Sequence, residues 1–341
     1  MTDRFKNPRA QNNFVGRTCS ITGVGSYVPE KILTNADLEK MVETSDEWIT
    51  TRTGIKERRI AAADEFTSDL AAKAALKAMK MANVTAEQID LIIVATLTPD
   101  MPFPSTACLV QRKIGAKGAA AFDMEAACSG FIYALEIGQN FITSRTYETV
   151  LVIGAEKLSS IVNWKDRNTC VLFGDGAGAA ILQNRENSHG LLTAVMGADG
   201  NKADLLSMPG GGSACPATAE SVANGLHYLR MDGKETFKNA VQAMVSAAHE
   251  VMKRCEVDIT KIKCVIPHQA NQRIVDAVGE RLGATPEQLF INLDKYGNTS
   301  AASVAIALDE AVASGKISRG DLVLLVVFGA GLTWGAAVIE W

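Results

Sequence analysis

Several features are missing from this 341-residue chain. No stretch approaches the roughly 18 consecutive apolar residues of a transmembrane helix, so no membrane span is expected. Its 34 Lys and Arg are outnumbered by 38 Asp and Glu. A net charge of −4 argues against nucleic-acid binding, which normally brings a basic excess. The four histidines, at positions 189, 227, 249 and 268, are scattered rather than paired at metal-ligand spacing. No metal site is expected from them. The seven cysteines (19, 108, 128, 170, 215, 255 and 264) form an odd set with no Cys-x-x-Cys, unlike the even, clustered framework of a secreted disulfide protein. Most are expected to pack as small hydrophobes. The N-terminus is polar and basic and lacks the apolar stretch of a secretory signal. Together these absences point to a reducing, cytoplasmic setting with neither a membrane nor a nucleic acid as partner.

What remains is an α/β composition, 47% apolar and 21% charged, long enough for one large domain or two ordinary ones. Residues 1–16 read as a loose tail. Short runs apolar at nearly every position follow: Leu91–Leu97, Thr149–Gly154, Ala177–Leu182, Lys263–Ile266, Leu322–Phe328 and Ala336–Ile339. Such runs suit strands covered by helices on both faces. Amphipathic stretches alternate with them: Ser68–Met81, Gly130–Thr143, Glu235–Cys255, Gln272–Leu282 and Ser300–Ala313. The alternation predicts mixed sheets sandwiched between helices.

The chain also repeats itself weakly. Phe122-Asp123-Met124, Cys128, a helix, the strand at Thr149 and Gly178–Leu182 are echoed by Phe290–Leu293, Ser300, a helix, the strand at Leu322 and Gly335–Ile339. Cys128 precedes Thr149 by the same interval as Ser300 precedes Asp321. Two copies of one unit, 17–187 and 188–341, would set Cys128 and Asn298 at the starts of facing helices. The junction falls in the polar cluster Asn184-Arg185-Glu186-Asn187-Ser188.

Cys128, between a strand and a helix, is a candidate nucleophile, because a helix N-terminus favours thiolate. The competing reading is a small residue needed for close packing. His268, in Pro267-His268-Gln269-Ala270-Asn271, sits at the carboxyl end of a buried strand, where open α/β sheets bind ligands. A lone histidine is otherwise structural. Asn298, in Gly297-Asn298-Thr299-Ser300, is either a further site residue or a turn and cap residue. Phe173-Gly174-Asp175-Gly176-Ala177-Gly178 superficially matches a dinucleotide fingerprint, but it leads into a strand rather than a helix. No nucleotide cofactor is expected. The order Cys, His, Asn also occurs in papain-like proteases, whose local cysteine environment and secretory signal are absent here.

Taken together and in order, Thr44–Ile49, Thr51–Ile55, Cys128, Phe173–Gly178, Pro267–Asn271, Gly297–Ser303 and Phe328–Gly335 give a more specific signal. Over nearly its whole length the chain resembles the β-ketoacyl-acyl-carrier-protein synthase III family, the initiating condensing enzymes of type II fatty-acid synthesis. The resemblance implies a thiolase fold with five αβαβα layers from two pseudo-duplicated halves, and a homodimer. It implies a decarboxylative condensation of an acyl-CoA with malonyl-acyl carrier protein, without metal or redox cofactor. The implied catalytic residues are Cys128, His268 and Asn298, with backbone amides of Cys128 and Ala330 as the oxyanion hole. CoA is implied to bind at Thr44, Trp48, Arg52, Arg167 and Asn271. The carrier protein is implied to dock at Gln269, Ala270, Asn271, Gln272, Arg273 and Lys238, and Phe103 to serve the acyl pocket and dimer. Two departures stand out: Gly329-Ala330-Gly331 replaces three glycines, and Glu280-Arg281 replaces a basic pair. A secondary-metabolism relative and a non-catalytic, chain-length-factor-like subunit are the alternatives, and the intact triad weighs against the second. The glutamate base of HMG-CoA synthase and the second cysteine of thiolases are not found. Primer length is not legible.

Overall fold

The computed structural model describes residues 19–184 and 190–341. The expected tail, 1–16, and the expected junction at 187 lie outside that range. The first part of the chain opens with strand β1 (Cys19–Tyr27). A small ribbon of β2 (Lys31–Thr34) and β3 (Glu57–Ile60) encloses helices α1 (Asn35–Leu38) and α2 (Asp46–Thr53). Then come α3 (Thr67–Ala82), β4 (Leu91–Ala95), α4 (Thr106–Ile114), β5 (Ala120–Met124), α5 (Gly130–Thr143), β6 (Thr149–Glu156), α6 (Arg167–Cys170) and β7 (Gly176–Asn184). The second part runs β8 (Leu191–Ala198), a two-residue ribbon of β9 (Leu206–Ser207) and β10 (Arg230–Met231) around α7 (Ala219–Ala223), and α8 (Gly233–Arg254). It continues through β11 (Ile262–Pro267), α9 (Gln272–Leu282), α10 (Leu293–Tyr296), α11 (Ala302–Ala313), β12 (Leu322–Gly329) and β13 (Thr333–Glu340).

Two large sheets result, in the orders β1-β7-β6-β4-β5 and β8-β13-β12-β11. Their directions correspond strand for strand. β1–β7 and β7–β6 are antiparallel while β6–β4 and β4–β5 are parallel. Likewise β8–β13 and β13–β12 are antiparallel while β12–β11 is parallel. The counterpart of β5 is reduced to one parallel bridge, Val265 to Leu289. The duplication expected from the sequence is therefore present in the topology.

Strand alternation separates the buried side chains into layers. On β4, Leu91 and Ile93 face a central core with α5 and α11, whereas Ile92 and Val94 face an outer core with α3 and α4. On β12, Val323, Leu325 and Val327 join the same central core, and Leu324, Val326 and Phe328 face α8 and α9. Five layers follow: helices, sheet, the central pair α5 and α11, sheet, helices. Helix α11 approaches the first sheet unusually closely. A Cβ added to Gly154 would lie 2.3 Å from the Ala301 carbonyl oxygen, and one on Gly178 would lie 2.4 Å from Ala305 Cβ. Only glycine lets α11 sit directly on β6 and β7. No described helix is long and apolar enough to cross a membrane.

Several boundaries shift by one to three residues, such as the last strand, which starts at Thr333 rather than Ala336, and two of the shifts have a plain physical reason. The strand expected through Leu97 stops at Ala95, because the Leu97 and Thr98 amides turn toward the Glu156 carboxylate. The helix expected from Ser300 starts at Ala302, because Ser300 holds a left-handed φ of 49°.

Candidate active site

Cys128 sits on a one-turn bend between β5 and α5, 6% exposed. Ala127 before it adopts φ 45°, a conformation that costs a non-glycine residue energy. Contacts from both sides hold the bend: the Ala127 N–H donates to Glu125 Oε1 at 2.7 Å, and Thr333 Oγ1 of β13 lies 3.0 Å from the Ala126 carbonyl oxygen. Gly329, ending β12, passes so near that an added Cβ would lie 2.7 Å from Cys128 N. Burial pushes the thiol up to about 12, with Glu156 and Glu125 adding to the rise and the Ser300 hydroxyl opposing it. Burial therefore works against the ionised form that a helix N-terminus favours.

His268 ends the parallel pairing of β11 with β12, its N–H donating to the Val326 carbonyl at 2.8 Å. It is 3% exposed, and burial holds the imidazole down at about 4. Nδ1 lies 3.0 Å from Ser303 Oγ, which already accepts the Gln269 N–H at 2.8 Å. The Ser303 hydroxyl proton is free to point at Nδ1, the arrangement in which Nε2 carries the ring proton as a donor. Asn298 is fixed by its backbone: N–H to the Leu172 carbonyl at 2.8 Å, and its own carbonyl accepting from Gly174 at 3.0 Å. Its Oδ1 accepts the Ser300 N–H at 2.9 Å, so Nδ2 is the group it can offer a ligand.

Cys128, His268 and Asn298 share one cavity of about 530 Å³. Toward its mouth stands Trp48, with the guanidinium of Arg52 4.6 Å and that of Arg167 5.2 Å from its ring centroid. Asn271 caps α9 and ties this rim to α2 through Nδ2 to the Arg52 carbonyl at 3.1 Å. Exposed Arg273 lies 5.6 Å from the Phe237 ring on α8, and Lys238, the next residue in the chain after Phe237, is exposed. A second cavity, about 320 Å³, opens on the other side of Cys128 and is lined by Leu97, Leu158, Ile161, Phe173, Leu229 and Ala330 among others.

Not every expected residue joins the site. Gln269 is 1% exposed and all its polar groups serve the interior: Nε2 donates to the Pro267 and Phe290 carbonyls, and Oε1 accepts the Asn292 N–H. It does not belong to a docking surface, because the turn after β11 points it inward while Ala270, Asn271 and Gln272 are partly exposed. Thr44 precedes α2 but does not line the cavity, and its hydroxyl is buried without a partner. Phe103, 83% exposed, lines neither cavity within this chain. The run Phe173–Gly178 holds no phosphate cradle. Its Asp175 is buried and accepts from the Ala61 and Ser159 amides and the Ser159 hydroxyl.

Sequence reasoning overlooked two residues. Ser303 ends the matching run Gly297–Ser303 but was given no role of its own. Glu156 closes the apolar strand β6, and a carboxylate at the end of such a run was the available clue. It is fully buried, and burial raises it to about 7 although Thr96, Leu97 and Thr98 all donate to it.

Known proteins bear on this geometry. Residues 122–200 match a family described as 3-oxoacyl-[acyl-carrier-protein (ACP)] synthase III, and residues 252–341 match its C-terminal family. A β-ketoacyl-[acyl-carrier-protein] synthase III from Caldanaerobacter subterraneus is 60% identical over 321 residues, covering 94% of this chain and 97% of that protein. Among solved structures, the 3-oxoacyl-[acyl-carrier-protein] synthase III of Aquifex aeolicus is 51% identical with a TM-score of 0.88, covering 95% of this chain and all of that one. The β-ketoacyl-[acyl carrier protein] synthase III of Thermus thermophilus is 47% identical, also at 0.88, covering 94% and 99%. The five layers and the cysteine at the head of a central helix define a thiolase-fold condensing acyltransferase. Within that class, the chain belongs to the β-ketoacyl-acyl-carrier-protein synthase III family, which initiates fatty-acid synthesis.

Proposed function

We propose that Cys128 takes an acyl group from acyl-CoA, and that His268 and Asn298 then support its condensation with malonyl-acyl carrier protein. The carrying observation is that these three side chains, from different elements, share one cavity whose mouth holds an indole beside two guanidiniums. Trp48 offers a face to adenine, and Arg52 and Arg167 offer charge to phosphates. With the acyl group on Cys128, the second cavity, mostly apolar in its lining, is the place for its chain. Backbone amides of Cys128 and Ala330 are the assigned oxyanion donors. Loss of CO₂ from the malonyl group leaves an enolate. His268 Nε2–H and Asn298 Nδ2 donate to its oxygen, and the carbanion attacks the acyl carbon. A neutral imidazole suffices, since no proton is abstracted, and no step requires a metal or redox cofactor.

The carrier protein is assigned to the rim bearing Arg273 and Lys238, together with Ala270, Asn271 and Gln272. A cytoplasmic homodimer completes the reading, with exposed Phe103 reaching toward the partner's acyl pocket. The test is intact-mass analysis after mixing with acyl-CoAs. The wild type should gain one acyl mass and Cys128→Ala none, with the fold retained. An acyl mass on the variant would remove Cys128 as nucleophile.

A further inference from the structure

The clamp assigned to CoA comes from two separate elements: Trp48 and Arg52 on α2, and Arg167 on α6. These helices have eight and four residues, too short to hold themselves in water. Their positions must be set by what they pack on, and one buried arginine bonds toward both. Arg58, on β3, is 0% exposed. Its Nη1 donates to the Leu33 carbonyl at 3.1 Å and to Asn35 Oδ1 at 2.8 Å, and its Nη2 donates to the Val171 carbonyl at 2.7 Å. None of these acceptors is a carboxylate. Burial pulls the guanidinium down to about 10, so it stays charged at neutral pH. A buried cation held only by dipoles costs stability that an apolar side chain of its volume would not. Packing alone does not account for it.

Each arm of the guanidinium leads to one half of the clamp. Asn35 passes the first arm on: its Nδ2 donates to Asp46 Oδ1 at 2.7 Å and Thr50 Oγ1 at 3.3 Å, both on α2, and to the Ile55 carbonyl at 2.8 Å. Val171, at the end of the second arm, is the C-cap of α6 and lines the same cavity as Trp48 and Arg52. Arg58 is thus one hydrogen bond from α6 and two from α2. We infer that Arg58 is the positioning residue of the CoA site, its fork setting α2 and α6 at the spacing that brings two guanidiniums over Trp48. This rests on the CoA reading above.

Arg58 lines neither cavity, so it acts only through Trp48, Arg52 and Arg167. The planar fork suits the task. Its two nitrogens reach acceptors on different elements at once, which a single ammonium on a flexible stem cannot do. The stem has a separate duty: a Cβ added to Gly174 or Gly297 would lie 3.1 or 3.5 Å from Arg58 Cβ, beside the turn that carries Asn298. Lysine keeps most of that stem and loses the fork.

The test compares an acyl-CoA with the corresponding acyl-pantetheine, which lacks the nucleotide. Single-turnover acylation of Cys128 is followed by mass in the wild type, in Arg58→Lys and in a double variant, Asp46→Ala with Thr50→Val. The double variant cuts both side-chain bonds from Asn35 to α2 at an exposed and a half-buried position, so it decides alone should Arg58→Lys fail to fold. The half-saturating acyl-CoA concentration should rise about tenfold in Arg58→Lys and several-fold in the double variant, at an unchanged maximal rate. Acylation by acyl-pantetheine should stay within about twofold of wild type, because it does not use the clamp. Equal slowing with both donors would reveal a general loosening and overturn the inference, as would unchanged acyl-CoA saturation. A wild type that takes the two donors equally well would instead reject the CoA clamp itself, and the inference with it.

Discussion

The acid limb of the reaction offers the sharpest test of the histidine's role. An ordinary histidine titrates near 6.5, and burial moves His268 to about 4. At pH 5.5 an unperturbed imidazole would be about 90% protonated, whereas His268 would be about 3% protonated. If the neutral ring donates from Nε2, decarboxylation of malonyl thioester should therefore be nearly undiminished at pH 5.5 and halve only near pH 4. With an unperturbed histidine it would already be down about tenfold. The assay is CO₂ release by enzyme with Cys128 alkylated, which isolates the enolate step from acylation. A midpoint near 6.5 would refute the argument, because it would mean that the ring is solvated or charged in the working site.

Stability should carry the same signature. The folded-state pKa of His268 lies below its unfolded value, so the unfolded chain takes up the proton first. Stability is lost as pH falls from about 6.5 toward 4, by roughly 3 kcal/mol at most. Glu156 works in the opposite sense. Its pKa is raised from 4.5 to about 7, so its contribution is fully present below 4.5 and lost as pH rises through 7. The two oppose each other between pH 4.5 and 6.5, so urea denaturation of His268→Ala should show a steeper loss of stability with rising pH than the wild type, a slope that Glu156 shares with Asp175 and Glu136, which burial also raises. Parallel curves for the two proteins would contradict the opposed titrations.

Trp48→Ala should raise the KM for acyl-CoA about tenfold or more, on the scale of 1–3 kcal/mol for base stacking, with less effect on the malonyl-carrier step. An unchanged KM would remove the indole from the CoA site. Arg273→Glu should slow condensation with malonyl-carrier protein several-fold while sparing acylation. Wild-type condensation should weaken with added salt, since exposed charges are screened over about 8–10 Å. Indifference to both would dismiss the docking rim. Gly329→Ala sets a methyl 2.7 Å from Cys128 N, a backbone atom that cannot yield without moving the nucleophile. Acylation should drop about a hundredfold at unchanged acyl-CoA affinity, measured by single turnover and equilibrium binding.

How much of this was readable in advance varied with the local physics. Helices Gly130–Thr143 and Gln272–Leu282 were found to their ends. In the second, the apolar positions Ile274, Val275, Val278 and Leu282 follow the helical period, and Asn271 caps its start. Helix Thr106–Ile114 escaped, although Ser105 caps it and Gly115 ends it. Its middle, Cys108–Lys113, is half polar and packs only one narrow face. In the site, the positions of Cys128 and His268 followed from strand and helix ends. Gln269 was misplaced because it neighbours exposed residues in the chain but faces inward across a sharp turn. Glu156 and Ser303 bond to partners on neighbouring elements 58–60 and 35 positions away, and no local pattern announces such pairs.

Cys128 and His268, the proposed nucleophile and one proposed helper, follow strands of different sheets, and α11 rests between those sheets on Gly154 and Gly178. A side chain there would work like a shim. With a Cβ 2.3 Å from the Ala301 carbonyl, the layers must part, and the reacting atoms part with them. Enzymes lose about a hundredfold in rate for roughly 1 Å of such misplacement, long before a core of this size lets go. The chain therefore contains a strict mechanical tolerance, met by two missing methyl groups. Heat, pressure or a thickened interlayer should silence the reaction while every strand remains paired.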